Sequence, residues 1–277
     1  MAHTQTTAPL ATFQEVWVKE LHRMEAGLAP FGDAMLDAAQ LQPDERVLDV
    51  GSGGGLTTLE AARRVAPNGR AIGIDVTAEL VEIACRRASE ADVAGTEFVE
   101  GDAQTYPFEE DAFDVLISRH GTMFFSDADA AFANLGRAVR PGGRLAIVCP
   151  QDPLSSQWVS LAVGAAIPHV GPPDLGAPGD PGPFSFGDPD RLRRALGAGG
   201  FADVAVEGLV RPVRLGNDVS DVVAYITSLP QTRALFAGKP EHSVAAAIEA
   251  LGDVLRPFAG DDGVVMNDAA WLATARR

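Results

Sequence analysis

The sequence predicts an α/β fold, a doubly wound parallel sheet of seven strands, on three observations. Strand-like runs alternate with helical stripes throughout residues 46–150. A glycine-rich turn, Gly51-Ser52-Gly53-Gly54-Gly55, joins the first such run directly to a helical pattern. Three aspartates, Asp49, Asp75 and Asp102, stand at or just past the ends of three successive runs. Alternation of this kind places parallel strands in one sheet with helices on its faces.

Ahead of the alternation, Phe13, Trp17, Leu21, Met24 and Leu28 recur every three or four residues, the stripe of one amphipathic helix. Residues 1–45 are therefore expected to form an N-terminal helical cover, and residues 46–150 the ligand-binding core. The core strands are read at 46–50, 70–75, 97–100, 113–118 and 144–149. Several are unbroken apolar runs, as suits strands covered on both faces. Leu56, Leu59, Arg63 and Ala66 mark one intervening helix, Leu80, Ala84, Arg87 and Ala91 a second, and Ala128, Phe132, Leu135 and Val139 a third. Pro67-Asn68-Gly69 and Pro141-Gly142-Gly143 punctuate helix ends before the next strand.

Residues 168–189 hold seven prolines and five glycines, a density that predicts a long surface loop. A short helix from about Asp188 and a strand at 204–215 follow, so 151–216 reads as proline-rich loop, helix and strand. Two helical stripes, at 219–229 and 244–258, precede a last strand at 263–275. Residues 217–260 are thus expected to be a helical lid inserted between the last two strands of a single domain, which 261–277 closes.

With 277 residues, 46 % of them hydrophobic, the chain can bury a sizeable core. A net charge of −16 repels phosphate backbones and anionic lipid, so neither nucleic acid nor a membrane surface is the expected partner. No apolar run approaches the roughly 20 residues of a membrane span. The opening MAHTQTTAPLA has neither the basic start nor the apolar centre of a signal peptide, and a cytoplasmic location is expected. Cys85 and Cys149 read as buried free thiols, and no Cys/His cluster has metal-site spacing, so no metal is expected.

Asp49, Gly51, Gly53 and Gly55 fall on alternate positions where the first strand gives way to a helix. Ligands of open α/β sheets bind at this carboxyl edge, at the point where strand order reverses. The pattern is D-x-G-x-G-x-G, whereas the dinucleotide fingerprint G-x-G-x-x-G would need glycine at Leu56. A carboxylate beside the turn repels a pyrophosphate and suits a ligand carrying a positive group. Asp75 can accept both hydroxyls of a ribose. Val76 can pack on an adenine face, Asp102 can accept from an exocyclic amine, and Ala103 can offer its N–H to a ring nitrogen.

With these residues the sequence resembles the class I S-adenosylmethionine-dependent methyltransferases, and most closely their quinone and natural-product small-molecule branch. VLDVGSGGG is similar to the first motif of the family, IGIDVT to its acidic ribose motif and VEGDAQTYPF to its adenine motif. FDVLISRHGTMFF and NLGRAVRPGGRLAIVCP resemble the regions of its fourth and fifth strands. The resemblance implies a Rossmann-like fold, S-adenosyl-L-methionine as cofactor, and a small-molecule substrate methylated on oxygen or carbon. It further implies that Asp49 and the turn, with Gly51, Ser52, Gly53 and Gly55, hold the methionine part. Asp75 then holds the ribose, Val76, Asp102 and Ala103 frame the adenine, and Ser118 and Arg119 line the methionine end.

For proton transfer, His120 is the first candidate and His169 the second, with His22 a third. Met123, Phe124, Trp158, Phe186 and Tyr225 are the candidate walls of the acceptor pocket. Three alternatives stay open at this point: a nicotinamide-dependent oxidoreductase, a non-catalytic binder of the same cofactor, and a protein-methylating enzyme. The missing dinucleotide glycine counts against the first, and the absence of an NPPY-like segment after the fourth strand against the last.

Overall fold

The computed structural model describes residues 10–173 and 179–277; His3 and part of the proline-rich segment, residues 174–178, lie outside them. The described chain divides into two compact units. One gathers the described residues of Met1–Pro30, Asp152–Asp180 and Val210–Ala269; the other consists of Phe31–Gln151, Pro181–Leu209 and Ala270–Arg277.

The strands are β1 (Arg46–Val50), β2 (Arg70–Asp75), β3 (Thr96–Glu100), β4 (Phe113–Arg119), β5 (Val139–Pro150), β6 (Ala202–Gly216), β7 (Ala259–Gly260) and β8 (Gly263–Arg276). Their order is β3-β2-β1-β4-β5-β8-β6, with the two-residue β7 paired to β8. β1 pairs in parallel with both β2 and β4, and the parallel set continues through β2–β3 and β4–β5. β8 runs antiparallel to β5. Chain order reverses between β1 and β4, so the carboxyl ends of these two strands form the switch point at which such sheets bind ligands.

The helices are α1 (Leu10–Lys19), α2 (Leu21–Ala39), α3 (Leu56–Val65), α4 (Ala78–Glu90), α5 (Ala128–Ala138), α6 (Gln157–Val170), α7 (Pro189–Ala198), α8 (Val219–Ser228), α9 (Pro230–Phe236) and α10 (Glu241–Leu255). In the sheet-bearing unit, the apolar runs of β1, β4 and β5 are buried with Phe108, Phe132, Leu135, Leu192 and Phe201 in one continuous core. The apolar stripe of α5 supplies Phe132 and Leu135, both without exposed surface. Burial of each such side chain contributes about 1.5–3 kcal/mol. In the helical unit, Ala166 and Val170 of α6 pack with Ala247 of α10, flanked by Leu235, Phe236 and Val244. There Arg23 of α2 pairs with Glu20 and Asp221 and lies over the ring of Tyr225, 4.9 Å from its centroid.

Several expectations are corrected. The N-terminal stripe is carried by two helices, α1 and α2, divided at Glu20. α6 stands where a loop was expected from Trp158 onward, and its last turn includes Pro168 and His169. Proline removes one internal hydrogen bond there without ending the helix until Gly171, whose φ of 82° stops it. β5 begins at Val139, paired with Phe113, and runs through the Pro141-Gly142-Gly143 segment that the sequence places between a helix and the next strand. Cys149 is buried as expected, but Cys85 is exposed on α4.

Candidate functional site

The loop after β1 is fixed by its neighbours. Gly51 and Ser52 both donate their N–H to the Ile74 carbonyl, and Gly53 donates to Asp75 Oδ2 at 2.9 Å. Gly51 has φ +70°, and a Cβ placed on it would lie 2.5 Å from Gly121 Cα, so the loops after β1 and β4 meet backbone to backbone. Only glycine permits both the turn and the approach. The amides of Gly51, Ser52 and Gly53 are thereby used within the protein.

Asp49 lies at the centre, 1 % exposed. Its Oδ2 accepts a hydrogen bond from Thr58 Oγ1 at 2.7 Å, while Oδ1 has no partner. Burial pushes this carboxyl up to about 6; the Thr58 hydrogen bond and the Arg119 charge work against that rise, and Asp75 adds to it. Three further buried polar atoms on the two loops lack partners: Ser52 Oγ, His120 Nε2 and Thr122 Oγ1. An unmet buried polar group costs about 1–3 kcal/mol, so four on adjoining segments single out a place that water or a polar ligand would satisfy.

His120 adopts φ +58°, rare outside glycine, and its ring stands 6.1 Å from that of Phe31. Burial, helped by the positive charge of Arg119, pushes its imidazolium down to about 3. The ring is therefore neutral at physiological pH and a weak base in this environment. Ser118 is fully buried, and its hydroxyl donates to the Val50 carbonyl at 2.7 Å, lacing β4 to β1. Arg119 reaches α2, where a Cβ on Gly32 would sit 3.2 Å from its Cδ.

The residues expected to meet an adenosine lie at or after the ends of β2 and β3. Asp75 is half-buried; besides Gly53, it accepts from the Thr77 N–H at 2.9 Å through Oδ1. It thereby holds the entry to α4, where the N-cap residue Thr77 makes no capping bond with its own side chain. Val76 beside it is 42 % exposed, an apolar side chain left uncovered at the rim. Asp102 is exposed and accepts from both the N–H and the side-chain amide of Gln104, and Ala103 is buried. Gln104 also accepts from Ser126 through Oε1, which ties the loop after β3 to the entry of α5.

The structure thus brings Asp49, Gly51, Ser52, Gly53, Gly55, Asp75, Ser118, Arg119 and His120 together at the carboxyl ends of β1, β2 and β4. Met123 and Phe186 are core residues instead, Phe186 packing on Phe132 at 6.1 Å, with half-buried Phe124 against the same cluster. Trp158 on α6, Tyr225 on α8, and the exposed His22 and His169 belong to the helical unit. Tyr225 is itself buried, its hydroxyl donating to Met24 Sδ. Thr58, Gln104 and Phe31 were missed. Among the described residues no group of acids, histidines and cysteines is arranged to hold a metal ion, and no helix is long and apolar enough to cross a membrane.

Known proteins share parts of this sequence and its fold. Residues 47–143 match the family described as a methyltransferase domain. The chain is 34 % identical over 146 residues to the uncharacterized methyltransferase YcgJ of Bacillus subtilis, covering 51 % of this chain and 56 % of that protein. It is 31 % identical over 183 residues to nocamycin O-methyltransferase of Saccharothrix syringae, covering 63 % and 65 %. The chain spans between about half and two thirds of the length of these curated relatives. The crystal structure of YcgJ superposes with a TM-score of 0.54 at 23 % identity, over 89 % of this chain and 97 % of that one, which supports the shared fold.

Proposed function

We propose, for a chain that belongs to the class I S-adenosylmethionine-dependent methyltransferases, transfer of a methyl group to an oxygen, or a carbon, of a small and partly hydrophobic metabolite. The observation that carries this reading is the gathering of Asp49 Oδ1, Ser52 Oγ, His120 Nε2 and Thr122 Oγ1, all buried and unpartnered, at the switch point of the sheet. When bound, S-adenosyl-L-methionine supplies a sulfonium methyl for in-line displacement.

The chain's own residues bind and orient. Asp75, already aimed by the Gly53 and Thr77 amides, has lone pairs left for the ribose hydroxyls. Val76 offers the uncovered apolar surface for the adenine, with Asp102 and Ala103 at its edge. Asp49 Oδ1 takes the cationic methionine part, and Ser52, Arg119 and Thr122 surround that end. Fixing both reactants in line supplies several kcal/mol of the rate enhancement.

His120 serves as a neutral hydrogen-bonding group. Since its imidazole is a weak base, the acceptor that suits this site is one that ionises readily, such as an acidic phenol, an enol or a carboxyl. The name of the nocamycin relative supports oxygen as the accepting atom. Calorimetry with S-adenosylhomocysteine tests the reading. Binding is expected in the micromolar range or tighter, weakened about 100-fold or more in Asp75→Ala by loss of a charge-assisted pair of hydrogen bonds. Unchanged affinity in that variant would remove the ribose assignment.

A further inference from the structure

We infer that Thr58 is a positioning residue for cofactor recognition: by bonding Oδ2 it fixes the Asp49 carboxylate and leaves Oδ1 as the receptor for the cofactor's ammonium group. The inference rests on the cofactor reading above.

Three features of the structure are arranged around this one hydroxyl. Thr58 lies in the first turn of α3 with no exposed surface, and its Oγ1 stands 2.7 Å from Asp49 Oδ2. A threonine within a helix ordinarily bonds the carbonyl four residues back. Here that carbonyl, on Gly54, accepts instead from Arg87 Nη1 of α4 at 2.8 Å. The sheet also makes room: a Cβ on Gly73 of β2 would lie 2.8 Å from Thr58 Oγ1 and 2.7 Å from Ser52 Cβ. A side chain at position 73 would therefore press directly on the bond.

The chemistry follows from what a hydroxyl can do. It has one proton, and spending it on Oδ2 stabilises the ionised carboxylate and selects one orientation. The other charged groups acting on Asp49 are Arg119 of β4, which favours the ion, and Asp75 of β2, which opposes it. Without Thr58 both carboxylate oxygens would be buried and unmet, and the group would take up a proton rather than carry an unpaired charge. A protonated Asp49 no longer attracts an ammonium.

The test uses two ligands that share adenosine and a thioether. S-Adenosylhomocysteine carries the amino-acid ammonium, and 5′-methylthioadenosine lacks it. Calorimetry on wild type, Thr58→Val and Thr58→Ser should show S-adenosylhomocysteine affinity falling about tenfold or more in Thr58→Val near neutral pH. The affinity for 5′-methylthioadenosine should stay within about twofold. The deficit should shrink as the pH is raised by about two units and Asp49 ionises again, and Thr58→Ser should restore most of the affinity. Retained 5′-methylthioadenosine binding shows the variant to be folded; should Thr58→Val not fold, Thr58→Ala is read in the same way. Equal losses for both ligands, or none for either, would overturn the inference while leaving the cofactor reading standing. A wild type that binds neither ligand would overturn both.

Discussion

Asp49 and His120 stand at the ends of adjacent strands, both buried, and burial drives their titrations in opposite senses. The carboxyl is pushed up to about 6 and the imidazolium down to about 3. The physical cause is the same, since a low-dielectric site disfavours whichever form is charged. The difference lies in what opposes it. Asp49 has Thr58 on one oxygen and Arg119 nearby, both favouring the anion, whereas Arg119 works with burial against a charged His120. The β1 side thus favours a negative charge, while the β4 side carries the Arg119 guanidinium and keeps His120 neutral.

The largest expected effect breaks the contact between the two walls. In Gly51→Ala the new Cβ would fall 2.5 Å from Gly121 Cα, backbone against backbone, with φ at +70°. Stability should drop by more than about 3 kcal/mol in denaturant titration, or the loops should part and cofactor affinity vanish. Gly53→Ala is the control: φ is +54° but nothing lies within 4 Å of the added methyl, so about 1–2 kcal/mol is expected.

Next in size is Asp49→Asn, which removes the charge from one wall alone. S-Adenosylhomocysteine affinity should fall about 100-fold, the scale of a lost charge-assisted hydrogen bond. Stability of the free protein should change the other way. An aspartate whose folded value is raised to about 6 from 3.8 contributes its full stability below about pH 4 and loses it as pH rises through 6. Above that pH the charged form carries a penalty of about 3 kcal/mol, which the neutral amide avoids. A thermal-melt comparison should therefore show the variant more stable than wild type near pH 8 and no more stable near pH 4, and lower stability at pH 8 would show that the carboxylate is not a strained ion.

How far these two walls were legible in the sequence differs with the range of the interaction. β1, β2 and β4 were read to within a residue, because strands covered on both faces appear as apolar runs. The acids at their ends were legible for the same reason: a charge that interrupts such a run at its carboxyl edge has few structural uses. Thr58 was not, since its bond to Asp49 depends on how α3 docks and on the room left by Gly73. Gln104 and Phe31 escaped notice likewise, their partners being set by tertiary packing across loops. α6 was lost for a different reason. It is apolar nearly all round and so carries no apolar stripe, and its proline suggests an ending that the packing on α10 overrides. Phe186 shows the reverse error, for an aromatic in a glycine-rich and proline-rich segment suggested a pocket wall, yet it fills the core beside Phe132.

The smallest effect is a cancellation. As pH falls from about 6 to 4, folded Asp49 takes up a proton that the unfolded chain does not yet hold, which favours the fold. Over the same window the unfolded His120 is protonated while the folded one, with its value near 3, is not, which opposes the fold. Each slope is about 1.4 kcal/mol per pH unit, so together they leave almost no tilt from this site. Single variants should uncover it. Asp49→Asn should lose stability on acidification more steeply than wild type by about that amount per unit, and His120→Asn, in which asparagine tolerates the left-handed backbone, more gently by as much. Parallel stability curves for all three proteins between pH 4 and 6 would mean that the two groups titrate as exposed ones do, and the contrast between the walls would be gone.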